Sequence, residues 1–253
     1  MSHPTEKDPF LALGIYRAPH GMSQQEFDAR MESFLGAMGA LSVVQESLLK
    51  LEMMSANNLF DEHIKRFGMP ASAPHPTTVF KAVSETLEHM LQVYRDPQVR
   101  KLLEAAGEFS HPRGASFFSV DVLEKMKKSG GQDSIHVIGL FQPPLHLTKE
   151  QYARKFDALV DSIVAHPTIQ QNLLGYTAWV PNNIMDTSLK DLGISAVEPP
   201  FIILLESENW DLMMEVARDV EVQKIIAGGN EDFGFHSDSS SFAVDIVTKF
   251  ERE

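Results

Sequence analysis

The stretch Leu48-Leu-Lys-Leu-Glu-Met-Met-Ser-Ala-Asn-Asn-Leu-Phe-Asp61 returns in the second half of the chain as Leu173-Leu-Gly-Tyr-Thr-Ala-Trp-Val-Pro-Asn-Asn-Ile-Met-Asp186. Each copy is typical of a strand that runs into an Asn-Asn turn and then into a short helix, which stops at Gly68 or Gly193. The correspondence continues without a gap back to Phe10 and Ile135, and agreement over such a length indicates an internal repeat. The chain is therefore predicted to be a tandem duplication.

Composition excludes several classes of function. The chain has 253 residues, of which 43% are hydrophobic, so it is long enough for two packed halves. A net charge of -13 argues against nucleic acid and anionic membranes as partners, because both would repel it. There is no cysteine, which excludes disulfides, thiolate nucleophiles and cysteine metal sites. The N-terminus lacks a signal-peptide pattern and no apolar run is long enough to span a membrane, so a cytoplasmic protein is expected.

Hydrophobic periodicity predicts the same order of elements in both halves: strand, helix, strand, short helix, strand, helix, strand. Ser23 followed by Glu26, and Thr148 followed by Gln151, are typical of a capping box at the start of the first helix. An internal Arg-Asp pair predicts a break in the second long helix of each half, at Arg95-Asp96 and Arg218-Asp219. The Gly228-Gly229 pair is predicted to end a helix.

This order predicts an α+β protein built from two fused ferredoxin-like units, each with an antiparallel four-stranded sheet. Residues 1–127 form the first repeat, residues 128–134 a Gly- and Ser-containing linker, and residues 135–253 the second repeat. Two sheets with an apolar uncovered face are expected to pack together as an α+β barrel. The inward face of the first strand is either the Leu11, Leu13 and Ile15 set or the Phe10, Ala12 and Tyr16 set.

Residues 21–27 (Gly-Met-Ser-Gln-Gln-Glu-Phe) and 146–152 (His-Leu-Thr-Lys-Glu-Gln-Tyr) resemble the helix-opening segment of EthD-like proteins of the dimeric α+β barrel superfamily. The Trp and His that EthD-like sequences usually carry further along that helix are absent here. The superfamily includes cofactor-free cyclases, decarboxylases and monooxygenases, isomerases, and haem proteins. The resemblance therefore implies a fold and a range of activities rather than one reaction.

Three histidines are candidates for catalysis. Two of them, His136 and His75, have no counterpart in the other half, whereas residues repeated in both halves favour an architectural role. His136 replaces Leu11 in an apolar strand, where burial would lower its pKa and suit a general base. His75 lies between two prolines in the longer connection, and His111 lies in a loop equivalent to the one with His236. Such loops border the barrel mouth in this fold. Each histidine has the alternative interpretation of a residue that only faces solvent.

Four residues of the second copy are candidates for substrate binding. Tyr176 and Trp179 replace Leu51 and Met54, and an aromatic ring would form a platform for a flat ligand. Because they lie on opposite faces of one strand, at most one of them points between the sheets. Asn182 and Asn183 are candidates for orienting a carbonyl group. The alternatives are core aromatics and helix-capping asparagines.

These observations predict a cofactor-independent enzyme that acts by proton transfer on a hydrophobic small molecule in a cavity between the sheets. The reaction would be that of a polyketide-like cyclase, decarboxylase, lyase or isomerase. One alternative is a haem-binding barrel protein of the dismutase or peroxidase type, with a loop histidine as axial ligand. Another is a non-catalytic small-molecule-binding or stress protein. No histidine spacing indicates a metal site, and the chain is expected to be a monomer or homodimer.

Overall fold

The computed structural model describes residues 9–57, 59–61, 76–107, 115–129, 134–194, 198–235 and 239–252. Its eight strands are β1 (Phe10–Arg17), β2 (Leu48–Asn57), β3 (Thr77–Ser84), β4 (Ala115–Lys127), β5 (Ile135–Phe141), β6 (Gly175–Pro181), β7 (Phe201–Ser207) and β8 (Ser239–Glu251). The helices of the described part are α1 (Gln24–Gly39), α2 (Ser42–Ser47), α3 (Leu87–Arg95), α4 (Pro97–Gly107), α5 (Lys149–Val164), α6 (Pro167–Asn172), α7 (Asp186–Asp191), α8 (Trp210–Arg218) and α9 (Val220–Phe233).

The eight strands close into one antiparallel barrel in the order β1-β3-β2-β8-β5-β7-β6-β4. In the first half β1 lies between β3 and β4, and in the second half β5 lies between β7 and β8. Two pairs join the halves: β2 with β8, and β4 with β6. The predicted α+β class and barrel are therefore confirmed as an α+β chain with a closed eight-stranded barrel.

The barrel interior is filled with apolar side chains. Successive residues of a strand point to opposite faces, and the cluster to which helices contribute nothing must be the inward one. That cluster receives side chains from all eight strands: Leu13, Ile15, Met54, Val79, Phe118, Val120, Ile138, Leu140, Trp179, Ile202, Phe242 and Val244. The set of β1 that faces inward is thus Leu11, Leu13 and Ile15. The expected open cavity between the sheets is wrong for this middle part of the barrel, because these side chains occupy it.

Two further apolar clusters lie between the barrel and the helices, one in each half. Each cluster also contains a side chain from the other half. Phe60, which follows β2, packs in the cluster of the second-half helices, where its ring stacks on Trp210 with 5.8 Å between centroids. Met185, at the equivalent place after β6, is fully buried in the cluster of the first-half helices. Each half therefore completes the core of the other.

Ion pairs also link the two halves, near each of the strand pairs that join them. Lys249 of β8 pairs with Glu32 of α1. Lys125 of β4 pairs with Asp157 and Asp161 of α5, at N–O distances of 2.6 and 2.7 Å. The lysines are only 6% and 18% exposed, so screening by water is weaker than for a fully exposed pair.

Most predicted helix boundaries are confirmed. The hydroxyls of Ser23 and Thr148 accept hydrogen bonds from the backbone N–H three residues on, and Gln151 completes the capping box. The Glu26 carboxylate instead accepts a hydrogen bond from Arg30, so the first box is half formed. The predicted breaks fall between α3 and α4 and between α8 and α9.

The helix end predicted at Gly228-Gly229 is wrong. Helix α9 continues to Phe233 and ends at Gly234, whose φ of 70° is the left-handed conformation that glycine adopts without strain. Gly229 serves close packing instead, since a Cβ there would lie 2.5 Å from Leu159 of α5. The short helices α2 and α6, which precede β2 and β6, were not predicted.

The boundary between the predicted repeats coincides with element ends. Strand β4 ends at Lys127 and β5 begins at Ile135, on either side of the predicted linker. The division into two domains stays a prediction, because the barrel itself is one closed sheet. None of the helices in the described ranges combines the length and apolar character that a membrane span requires.

Gly14 provides a test of this packing. A Cβ at Gly14 would lie 2.0 Å from the ring of Phe80, which contacts Tyr16 and Phe117. We expect Gly14→Ala to lower the free energy of unfolding by about 1–3 kcal/mol, because the aromatic cluster must shift. The control is Gly36→Ala in α1, where a Cβ meets no atom within 4 Å; this change is expected to stabilise by about 0.5–1 kcal/mol. Urea denaturation measures both, and equal effects would contradict the described packing.

Candidate functional site

The two ends of the barrel differ in character. Strands β1, β2, β5 and β6 begin at one end, and β3, β4, β7 and β8 begin at the other, as the antiparallel pairings require. At the first end the inward positions next to the apolar core carry charged or titratable side chains. We call this the polar end.

Five residues form the polar cluster of this end: Lys50 and Glu52 of β2, Lys81 of β3, His136 of β5 and Glu206 of β7. Each lies two or four positions along its strand from an inward core residue, as His136 does from Ile138, and therefore faces inward as well. The strands of both halves therefore bring them together.

Glu52 is the most buried member, with 7% of its surface exposed. It forms an ion pair with Lys81, which lies directly opposite on β3, and another with Lys50 at 3.1 Å. Burial alone would raise the pKa of the Glu52 carboxyl, but the two ammonium groups outweigh it and hold that pKa below its usual value. Lys50 also reaches Glu251 at the rim, at 3.3 Å.

His136 is half-buried beside these charges, with Glu206 opposite it on β7. Burial lowers the pKa of His136 from its ordinary value of 6.5, and the positive charge of Lys81 acts in the same direction. Glu206 and Glu52 oppose this but do not reverse it. The imidazole is therefore neutral near pH 7, which is the form that accepts a proton.

Gly175 leaves space for the carboxylate of Glu206. A Cβ at Gly175 would lie 3.2 Å from Glu206 Oε2. Gly175 also occupies the repeat position that Lys50 has in the first half. The position of the Glu206 carboxylate thus depends on a glycine at the place where the first half has a lysine.

The remaining side of the polar end is apolar. Leu11 and Val83 are half-buried there, and Val122 is 47% exposed although it belongs to the inward face of β4. Leu11 and Val122 lie on neighbouring strands, β1 and β4, and β3 with its Lys81 lies on the other side of β1. The mouth can therefore contact a molecule with both an apolar ring and a polar group.

The two predicted aromatic residues lie on opposite faces of β6. Trp179 is 2% exposed inside the barrel, and Tyr176 is 3% exposed in the cluster beneath the second-half helices. The prediction that at most one points between the sheets is thus confirmed. Both are covered by neighbouring side chains, and burial strongly raises the pKa of Tyr176. Their role in substrate binding stays a prediction.

Asn182 lies at the turn after β6, and both polar atoms of its side chain form hydrogen bonds. Its side-chain oxygen accepts from the Ser119 hydroxyl and from the backbone N–H of Ile184, and its amide donates to Asp121 at 2.8 Å. Asn57 makes the same contact to Asp245 in the other half, at 2.9 Å. The side-chain oxygen of Asn183 accepts a hydrogen bond from Lys149 at 2.7 Å. Substrate binding by Asn182 and Asn183 stays a prediction beside these structural contacts.

His75 and His111, the other two predicted bases, lie outside the described residues, as does His236. The strands that follow His75 and His111, β3 and β4, begin at the end of the barrel opposite to the polar end. Of the predicted catalytic histidines, His136 is therefore the one that the structure places among charged side chains.

Sequence reasoning missed Lys50, Glu52, Lys81 and Glu206. The signal was present, since each charge lies in a strand and none is matched by a like charge in the repeat. Glu52 corresponds to Thr177, for example. The asymmetry that singled out His136 applies equally to them.

Two cavities among the described residues lack a histidine that could ligate haem iron. A surface groove of about 370 Å³ on α5 is lined by Leu147, Gln151, Arg154, Lys155 and Ala158, and a second cavity of about 10 Å³ lies beneath α3 and α4. Neither is lined by a histidine. No group of three or more His, Cys, Asp or Glu side chains within the described ranges is arranged to hold a metal ion. The haem hypothesis stays a prediction.

The lowered pKa of His136 has a consequence for stability. In the pH interval between that pKa and 6.5 the unfolded chain binds more protons than the folded one, so stability falls as pH falls through this interval. We expect His136→Leu, which restores the residue of the other half, to gain stability relative to wild type as the pH is lowered from roughly 7 to roughly 5. Urea denaturation at several pH values measures this. A stability difference that does not change with pH would contradict the burial of a neutral His136.

No family model and no curated protein matches the sequence. The fold is similar to that of solved structures. An anthrone oxidase-like protein matches with a TM-score of 0.60 at 10% identity, over 98% of this chain and 96% of its own. A putative monooxygenase from Fusobacterium nucleatum matches with a TM-score of 0.52 at 7% identity, over 94% and 92%. A chlorite dismutase mutant from Candidatus Nitrospira defluvii matches with a TM-score of 0.45 at 11% identity, over 95% and 92%. The first two similarities show that the chain has the α+β barrel fold.

Proposed function

We propose that this chain is a cofactor-independent enzyme that moves a proton on a hydrophobic small molecule bound at the polar end of the barrel. His136 is its general base. The observation that carries the proposal is the placement of a half-buried histidine with a lowered pKa at the same end of the barrel as paired charges and exposed apolar side chains. Perturbed titratable groups at a concave, mixed surface are typical of catalytic sites.

The chemistry follows from the charge states. Neutral His136 accepts a proton from an acidic C–H or O–H of the substrate and becomes an imidazolium. Glu206, opposite on β7, stabilises that positive charge, as its effect on the pKa of His136 indicates. Return of the proton to another atom of the substrate completes an isomerisation, and loss of a neighbouring leaving group completes an elimination.

The substrate binds above the packed core rather than within it. The apolar contacts come from Leu11 and Val122, the two side chains that β1 and β4 present at the mouth. Trp179 lies deeper in the same interior, so it supports the floor of the site. This arrangement favours a flat, largely apolar molecule with one polar edge directed at His136.

Anthrone is a suitable first test compound, because it is a flat aromatic ketone with acidic C–H bonds and the described fold is shared with an anthrone oxidase-like protein. We expect the wild-type protein to accelerate hydrogen–deuterium exchange of its acidic CH₂ group, followed by NMR in D₂O. His136→Ala should lower the rate by about 10²–10⁴-fold, the usual contribution of a general base.

The control variant is His146→Ala, which removes an exposed histidine from the segment between β5 and α5. It should leave the exchange rate unchanged. Exchange that is equally fast in wild type and His136→Ala would rule out His136 as the base.

A second candidate function is non-catalytic binding. The filled barrel interior favours it, because the twelve core side chains occupy the chamber in which a barrel enzyme would enclose its substrate. A protein of this kind would bind anthrone without accelerating exchange. The same NMR experiment therefore separates the two candidates.

The architectural details of the sequence analysis are part of this proposal. The halves are two fused ferredoxin-like units, residues 1–127 and 135–253, and the same strand pairing within each half supports this division. Relationship to EthD-like proteins, a cytoplasmic location and a monomeric or homodimeric state stay predictions.

A further inference from the structure

Lys81 has hydrogen-bonding capacity that its ion pair does not use. Its ammonium carries three donors, and the described residues provide one carboxylate partner, that of Glu52. Glu52 is itself shared with Lys50, which also pairs with Glu251. The four residues form a chain of alternating charge that ends inside the mouth at Lys81.

Lys81 and His136 face the same part of the barrel interior. Both point into the barrel at the polar end, and the charge of Lys81 is felt at the His136 ring. The side chain of Lys81 is 22% exposed, so it is largely shielded from water. In such surroundings a positive charge stabilises an anion more strongly than it does in bulk water.

We infer that Lys81 is the anion-binding residue of this site, and that the substrate is an enolisable ketone or a phenol whose oxygen becomes negatively charged in the reaction. The inference rests on the proposed function and names its substrate class. A carbonyl or hydroxyl oxygen would contact Lys81 while the acidic hydrogen faces His136.

The step balances without any further reagent. The substrate C–H or O–H bond breaks, its electron pair stays on the substrate, and the negative charge collects on the oxygen next to Lys81. The proton forms an N–H bond on His136. Return of that proton to an atom other than the one it left regenerates both residues and leaves an isomer.

Glu52 limits this anion binding. Its carboxylate competes with a substrate anion for the ammonium of Lys81, and it also fixes the position of that ammonium. Substitutions at Lys81 and Glu52 are therefore expected to change anion binding in opposite directions.

The test uses 2-naphthol, whose ionised and neutral forms differ in absorbance and fluorescence. Excess wild-type protein should raise the ionised-to-neutral ratio of bound naphthol at fixed pH by about tenfold, the effect of one charge-assisted hydrogen bond. Lys81→Met should abolish this increase and Lys81→Arg should preserve it. Glu52→Gln should raise the ratio above that of wild type, which keeps the inference testable if Lys81→Met folds poorly.

Two controls separate this inference from the proposed function. Lys155→Met removes a half-exposed lysine of α5 that also has a carboxylate partner, Asp232, and should have no effect. His136→Leu should retain the raised ionised fraction, because Lys81 still binds the anion, although proton exchange on anthrone is lost. Failure of wild type to bind or ionise naphthol would overturn the inference, as would an unchanged ratio in Lys81→Met or a decrease in Glu52→Gln.

Discussion

Closure of the sheet across the two halves is the constraint on which the rest of the structure depends. The pairs β2–β8 and β4–β6 leave no strand edge exposed in the barrel, so its backbone groups are satisfied internally. Each pair is accompanied by an Asn–Asp hydrogen bond, a lysine–carboxylate ion pair and an apolar side chain that enters the core of the other half. The asparagines, aspartates and lysines of these contacts are the same residue types in both halves.

Closure also determines where chemistry can take place. Eight strands enclose an interior that side chains can fill, and here twelve apolar side chains do so. Polar atoms in that interior would lose their water without gaining partners, so charged groups are confined to the barrel end. Lys50, Glu52 and Lys81 of the polar cluster satisfy this restriction by pairing with one another. The same pairing holds the two lysines in defined positions.

The sequence allowed a large part of the fold to be predicted, because each half repeats local signals. The capping residues Ser23 and Thr148 and the helix breaks after Arg95 and Arg218 depend on neighbours in the chain, and they are correct. Gly228-Gly229 was misinterpreted because its role is contact with a different helix, which no local pattern reveals. The inward set of β1 required the barrel to be known.

The candidate site was less predictable for a related reason. His136 was recognisable as a polar residue in an apolar strand, but its neighbours Lys81 and Glu206 come from strands that are distant in sequence. Their meeting depends on the barrel register. The prediction of loop histidines depends on their lying near a barrel mouth, and the described strands form a barrel with two different mouths.

The central claim is that small molecules bind at the polar end and not inside the barrel. Photolabelling with benzophenone, a hydrophobic aromatic ketone, followed by mass-spectrometric mapping of the attached residues tests it most directly. The account predicts label on the residues around Leu11, Val122 and His136, and competition by 2-naphthol. Label on the buried interior around Phe118, or on the α5 groove around Arg154, would contradict it.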